Sequence, residues 1–286
     1  MLEGEFILDG YAFGTPEHDV IILSGGLDTG SASIRTQDAD VRDYTLFGRD
    51  YLTGPTWAFT LGIDHDAADS VLFDLARVWR NPAVRNVPGQ LSTLQFKRNG
   101  KEYRVYGRPR NFGVSPADVA STDWQMVAAD FRTDSPYMFD NDPQTHTLAL
   151  GEVAVDEGLI LPETMPWLLG GETASGQAVI NVQTLDPTPF EVYIRPGTAP
   201  LSQIPVEGPG WSIDINETVN PGSVLRIDTR RNTIDIDGAS IAGSLARGSS
   251  LAARLWSGMS TVSFAGIDTS GTATAQFVWR GSYPII

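Results

Sequence analysis

The 286-residue chain contains no cysteine. Disulfide bonds, thiolate metal sites and cysteine nucleophiles are therefore excluded. The absence fits folding in a reducing cytosol, although secreted proteins can also lack cysteine. No apolar run approaches the ~20 residues that a membrane-spanning helix needs. The first ten residues, MLEGEFILDG, lack the basic and apolar regions of a signal peptide, so we expect none.

Histidine is scarce, which limits the sites for acid–base or metal chemistry. The three histidines are His18, His65 and His146. Asp64-His65-Asp66 stands between a predicted strand and a predicted helix, so a polar, helix-capping loop explains it better than a metal site. The spacings of zinc proteases and of facial-triad iron sites are absent.

Signatures of other reactive sites are also missing. Asp235-Ile236-Asp237-Gly238 resembles part of a calcium loop, but Thr233 and Ser244 stand where such a loop needs acidic ligands. An Asp-Gly turn is the better interpretation. No nucleophile elbow, phosphate-binding loop or dinucleotide fingerprint occurs. We predict no catalytic residue, cofactor or metal, although 35 acidic residues leave a glycan-degrading carboxylate pair as a third hypothesis.

The charge is strongly unbalanced, with a formal net charge of −15. Affinity for phosphate backbones comes mainly from Lys and Arg, so tight nucleic-acid binding is disfavoured. One interpretation is solubility alone. The other is a protein that sits near DNA without holding it.

The composition and pattern indicate a mainly β protein. Gly (29) and Pro (18) punctuate many short apolar runs. Asn99-Gly100 separates two alternating runs and predicts a hairpin, because tight primed turns need positive φ at both central residues. Trp124 to Phe131 is predicted as a third strand. Thr56 to Asp64 alternates strictly and predicts a half-buried strand.

One helix is predicted among these strands, from Asp69 to Arg80. Val71, Leu72, Leu75, Val78 and Trp79 recur at spacings of three and four. Pro82 then ends the helix. A single helix beside many strands is expected to cover one edge or end of a sandwich.

The length suggests two domains, which we place at residues 1–157 and 158–286. A Pro- and Gly-rich stretch, 158–177, supports this boundary. In the second half, turn residues about every ten positions are typical of a sandwich or jelly roll. Eight strands are predicted there, at 179–185, 190–195, 211–215, 224–229, 232–236, 251–255, 261–264 and 272–279.

Two stretches, taken in order, carry a resemblance to a known family. The first holds Gly48-Arg49-Asp50-Tyr51, the strand 56–63, the helix ending at Trp79, Gly107-Arg108-Pro109-Arg110 and the return strand from Trp124; the second holds Gly208-Pro209, Asn220-Pro221-Gly222, Leu225–Thr229, Asp237-Gly238, Leu255-Trp256-Ser257-Gly258 and Trp279-Arg280. Together they resemble the distal tail proteins of long, non-contractile-tailed phages (siphophages), often labelled minor tail proteins.

The resemblance implies a structural virion protein of the tail tip or baseplate, made and assembled in the host cytoplasm. It implies two β-sandwich domains, an N-terminal one that forms a homo-hexameric ring and a galectin-like C-terminal one that projects outward. The ring joins the tail tube protein to the tail hub beside the tape-measure protein, and DNA passes through its lumen without specific binding. It implies no enzyme activity and no membrane partner.

Ring formation needs a heterologous contact whose rotation closes. For this contact we predict the mixed-charge excursion 33–51, with Arg35, Arg42 and Arg49, or the Asn99-Gly100 turn. The alternative function is a carbohydrate-binding adhesin module of a tail tip that recognises a host surface glycan. Trp256-Ser257-Gly258 falls at a predicted turn, which makes Trp256 the candidate exposed aromatic for stacking on a sugar.

Overall fold

The structure of the chain is a computed structural model. It describes residues 1–29, 33–35, 38–41, 43–48, 51–64, 68–114, 124–152 and 176–285. Within these residues the fold is mainly β, as predicted. The chain divides into two compact units, one formed by Met1–Asp142 with Ser282–Ile286 and the other by Pro143–Gly281. The boundary predicted between residues 157 and 158 lies outside the described residues and stays a prediction.

The first unit contains thirteen strands, two α-helices and one 3-10 helix (Gly26–Thr29) among its described residues. The strands are β1 (Phe6–Leu8), β2 (Tyr11–Phe13), β3 (Val20–Gly25), β4 (Ser33–Arg35), β5 (Ala39–Val41), β6 (Tyr44–Leu46), β7 (Tyr51–Thr53), β8 (Thr56–Asp64), β9 (Ser92–Arg98), β10 (Lys101–Val114), β11 (Trp124–Thr133), β12 (Tyr137–Asp140) and β24 (Ser282–Pro284). The helices are α1 (Ala68–Trp79) and the one-turn α2 (Pro82–Arg85).

The main sheet of this unit follows the order β2-β1-β9-β10-β11-β8-β3, and β12 joins β10 to β24. The strand β8 has the predicted bounds, and the helix predicted at 69–80 is confirmed as α1. Gly14, which follows β2, donates to the Val20 carbonyl (2.8 Å) and accepts from Ile22 (3.4 Å). The sheet therefore curls until its two end strands meet at this bridge.

The core of the first unit is rich in aromatic rings. Alternation along β8 buries Trp57, Phe59, Leu61 and Ile63, each at most 2% exposed. Burial contributes roughly 1.5–3 kcal/mol for each large apolar side chain. Trp79 from α1 packs edge-on against Phe59 and donates its indole N–H to the Asp130 carbonyl at 3.1 Å. This hydrogen bond fixes α1 against β11.

The second unit is a sandwich of two sheets. Its strands are β13 (Gln144–Ala149), β14 (Gly151–Glu152), β15 (Gln177–Val182), β16 (Phe190–Arg195), β17 (Ile204–Gly208), β18 (Trp211–Ile215), β19 (Leu225–Asp228), β20 (Thr233–Ile236), β21 (Ala239–Ser240), β22 (Gly258–Gly266) and β23 (Thr274–Trp279). One sheet follows the order β13-β23-β16-β19-β20-β21, and the other is β14-β22-β17-β18 with β15 also paired to β22. The galectin-like character of this sandwich stays a prediction.

The predicted strand 251–255 is wrong. These residues form turns and irregular backbone, with a single bridge between Leu255 and Thr188. Ala253 and Leu255 are nevertheless buried in the core of the second unit. The apolar alternation reflects a loop that packs onto the sandwich. Among the described residues, no strand pairs with this segment beyond the single bridge.

Candidate interaction surfaces

The polar cluster Asp235–Gly238, predicted as an Asp-Gly turn, has local partners. In Asp235–Gly238, Asp237 (φ 50°) and Gly238 (φ 86°) form a two-residue turn between β20 and β21. The Asp235 carboxylate accepts from the Gly238 amide at 3.0 Å. The Asp237 carboxylate accepts from Val224, and this hydrogen bond lowers its pKa. The predicted Asp-Gly turn is confirmed.

Among the described histidines, His18 has an ion-pair geometry. His18 Nε2 lies 2.9 Å from a Glu5 carboxylate oxygen. Burial acts to raise the pKa of Glu5, but hydrogen bonds from the Leu2 amide and from His18 outweigh it and the pKa is lowered. His65 lies outside the described residues. Within the described ranges, no group of three or more acidic or histidine side chains is arranged to hold a metal ion, and no helix is long and apolar enough to cross a membrane.

The Asn99-Gly100 turn is a confirmed hairpin turn with its amides already occupied. Asn99 (φ 53°) and Gly100 (φ 76°) join β9 to β10. Both backbone amides donate to the Glu3 carboxylate, at 2.5 and 3.0 Å. The N-terminal segment therefore holds the turn, and a subunit contact here stays a prediction.

The excursion 33–51 is described only in part. Its strands form two ribbons, β4 with β7 and β5 with β6. Arg35 lies on β4 opposite Tyr51, while Arg42 and Arg49 lie outside the described residues. Phe47 is 85% exposed, which the sequence pattern did not single out. The role of the three arginines in a subunit contact is untested.

An arginine-lined pocket lies in the first unit. It has a volume of about 620 Å³ and is lined by Arg108, Arg110 and Arg132, by Asp134, and by the apolar side chains of Leu52 and Leu91. We call it the arginine pocket. Its volume falls in the range of roughly 300–1,000 Å³ typical of sites that hold a small ligand. Three cations around one pocket are unusual in a chain of net charge −15.

The strand register creates this concentration of charge. Arg108 on β10 stands directly opposite Arg132 on β11, and like charges at opposed positions destabilise a strand pair. Arg108 donates to the carbonyls of Val87 (2.6 Å) and Gln90 (2.9 Å), which fix its guanidinium without neutralising it. Arg110 and Arg132 make no ion pair or hydrogen bond with any residue that the structure describes.

The wall of the arginine pocket is held by close backbone contacts. Thr133 donates from both its amide and its hydroxyl to the Pro55 carbonyl, each at 3.0 Å. Gly54 lies so close that an added Cβ would stand 2.7 Å from the Thr133 carbonyl oxygen. The site is therefore built on the sheet itself. The sequence shows Arg108 and Arg110 in a Gly-Arg-Pro-Arg run, but only the register brings Arg132 beside them.

Trp256, in the second unit, is exposed, and so is a pair of apolar side chains on β15 and β22. Trp256 is 59% exposed, Met259 is 72% exposed and Val179 is 55% exposed. Val179 and Met259 are diagonal neighbours on the outward face of β15 and β22. Exposed apolar patches of this kind mark interaction sites. A sugar-binding role for Trp256 stays a prediction.

Comparison with known proteins gives a likeness in fold. No protein-family model matches the sequence, and no curated protein matches it. The structure is similar to that of the SPP1 Dit protein, described as a paradigm of the hub adsorption apparatus in phages that infect Gram-positive hosts, with a TM-score of 0.59, 10% sequence identity and coverage of 98% of each chain.

Two structures of the phage P2 baseplate in its activated conformation give similar values. In the structure with Ca, the TM-score is 0.58 at 11% identity, with 97% of both chains covered. In the structure with Sr, the TM-score is 0.56 at 11% identity, with 96% of this chain and 97% of the other covered. The chain thus shares the fold of phage hub and baseplate proteins along nearly its whole length.

Proposed function

We propose that this chain is a distal tail protein, a structural component at the tip of a phage tail. The observation that carries the proposal is the likeness to SPP1 Dit over 98% of both chains. A likeness of this extent includes both compact units in the same order. A single shared domain would instead cover only part of the chain. Hub and baseplate proteins act by fitting beside other subunits, so no reactive centre is required.

In this proposal six copies form a ring that joins the tail tube to the tail hub. The first unit supplies the ring, and the second, a galectin-like sandwich, projects outward as a platform for other tail proteins or a host surface glycan. The tail tube protein, the hub protein and the tape-measure protein are its partners. The net charge of −15 lets DNA cross the lumen without adhering, and a strongly basic lumen would argue against this part.

Native mass spectrometry of the full chain tests the ring. At high protein concentration we expect a species of six times 30.9 kDa. A chain that remains monomeric at every concentration, or that forms only a two-fold dimer, contradicts the proposal. The measurement separates the ring from both binding and enzymatic alternatives, because neither of these requires six copies.

A carbohydrate-binding adhesin module is the second candidate, and the exposed side chain of Trp256 favours it. Stacking on a sugar ring needs an exposed aromatic face, and Trp256 provides one. A glycan array with the parent chain and the Trp256→Ala variant tests it. Binding that is lost in the variant supports the adhesin, and an array without signal for the parent removes it.

A further inference from the structure

We propose that neighbouring copies meet head to tail, with the outward face of α1 of one copy seated in the arginine pocket of the next. The outward face of α1 is defined by Asp69, Phe73, Asp74 and Arg77. This inference rests on the proposed ring and deepens it, because it names the two surfaces of the contact. The occupant of the arginine pocket is a second copy of this chain.

The outward face of α1 carries an aromatic side chain that is not part of the described core of the first unit. Phe73 is 70% exposed, whereas Leu75, two residues further along, is fully buried. Two residues turn an α-helix by about 200°, so Phe73 points away from the core. An exposed phenylalanine is a typical anchor for a protein contact, since aromatic residues are enriched in the buried centre of interfaces.

Charge supports the same pairing. Asp69 lies one turn before Phe73, and both Asp69 and Asp74 are exposed. Copies that each carry a charge of −15 repel one another on average, so their association needs a local match of opposite charges. Arg110 and Arg132, which form no ion pair with any residue that the structure describes, provide positive charge opposite this acidic face. Asp134 lines the same pocket and has the sign that suits Arg77, one turn beyond Phe73.

The pocket also suits an aromatic ring. Guanidinium groups stack on aromatic faces, and such contacts gain strength when they are desolvated. The arginine pocket combines three guanidinium groups with the apolar side chains of Leu52 and Leu91. Its volume of about 620 Å³ accommodates the Phe73 ring together with a neighbouring carboxylate.

The two surfaces are separate patches of the first unit. Arg132 is the strand neighbour of Thr56, at the start of β8. The helix α1 begins four residues after Asp64, at the end of β8, and runs back until the Trp79 indole donates to the Asp130 carbonyl. The residues that define the outward face of α1 do not line the arginine pocket, so one copy offers two different surfaces, as a heterologous contact requires.

The test uses two variants of the full chain, each of which damages one surface. The pocket variant carries Arg110→Glu and Arg132→Glu, and the helix variant carries Phe73→Ala and Asp74→Arg. All four side chains are exposed or lack partners among the described residues, so both variants are expected to fold, which circular dichroism and the urea midpoint verify. A control with Arg195→Glu and Arg247→Glu in the second unit has the same change in net charge as the pocket variant.

Native mass spectrometry gives a distinctive result. The parent and the control should form six-membered rings, and each variant alone should be monomeric. An equimolar mixture of the two variants should form a one-to-one dimer and nothing larger, because only one intact pair of surfaces remains. Higher salt should dissociate the ring.

The outcomes separate this contact from the ring itself. If the parent forms no ring, the proposed function fails. If the parent and both variants all form rings, the ring stands and this contact is refuted. If the pocket variant keeps the ring but loses affinity for a short DNA duplex at low salt, the arginine pocket binds phosphate and the proposal is overturned. An equimolar mixture of the pocket variant and the helix variant that stays monomeric also refutes the proposed contact.

Discussion

Gly107 makes the closest backbone approach at the arginine pocket, and its substitution gives a sharp test of the packing there. It lies on β10 between Ser92 of β9 and Thr133 of β11. An added Cβ would stand 2.2 Å from the Arg132 carbonyl oxygen and 2.7 Å from Phe131 Cε1. The carbonyl belongs to a paired strand and cannot withdraw. Overpacking typically costs 1–3 kcal/mol, so we expect Gly107→Ala to lower the free energy of unfolding by about 2–3 kcal/mol.

Gly113, on the same strand, is the matched control. An added Cβ there meets nothing within 4 Å, and its backbone is not left-handed. Replacing glycine by alanine at a compatible site stabilises a protein by roughly 0.4–1 kcal/mol, because the unfolded chain loses freedom. Gly113→Ala should therefore be neutral or mildly stabilising, opposite in sign to Gly107→Ala.

The assay is urea unfolding of the full chain, followed by tryptophan fluorescence. Because the chain has two compact units, hydrogen exchange of peptides from β10 identifies the transition that belongs to the first unit. Equal stability of the two variants, or a Gly107→Ala variant as stable as the parent, would refute the reasoning. It would mean that β10 and β11 can separate without cost at this position.

Three further predictions concern the first unit. Trp79→Ala should lower the free energy of unfolding by about 3–5 kcal/mol in the same urea assay, and a loss under 1 kcal/mol would contradict the role of α1 as part of the core. Glu3→Gln should raise hydrogen exchange of the Gly100 amide severalfold, measured by NMR; unchanged exchange means that the carboxylate does not hold the turn. Hydrogen bonding to the terminal ammonium lowers the pKa of Glu102, and the pKa of Glu5 is also lowered. The stability that these two carboxylates contribute to the fold is therefore complete above the ordinary carboxyl pKa and is lost as the pH falls below about 4. A urea midpoint that does not fall on acidification in that range would contradict this pH dependence.

Local patterns predicted the elements that depend on neighbouring residues. The strict alternation of β8 and the helical spacing from Val71 to Trp79 each reflect a face that one core buries. The Asn99-Gly100 turn was predictable because few residue pairs tolerate positive φ twice in succession. These features are decided within a dozen residues, so the sequence is sufficient for them.

Features that depend on register or on distant packing could not be predicted in this way. The strand β17 contains Pro205, a residue that argues against a strand between two partners, and it was absent from the predicted set. The strand predicted at 251–255 is wrong, because the apolar alternation there belongs to a loop whose side chains pack into the core. The arginine pocket needs Arg108 opposite Arg132, a pairing that no single stretch of sequence reveals.

Electron microscopy of the purified full chain tests the central claim most directly. The account predicts closed rings of six subunits around a central opening, with the first unit on the inside and the second on the outside. Images that show only separate two-unit particles, or rings in which the second unit lines the opening, would contradict it.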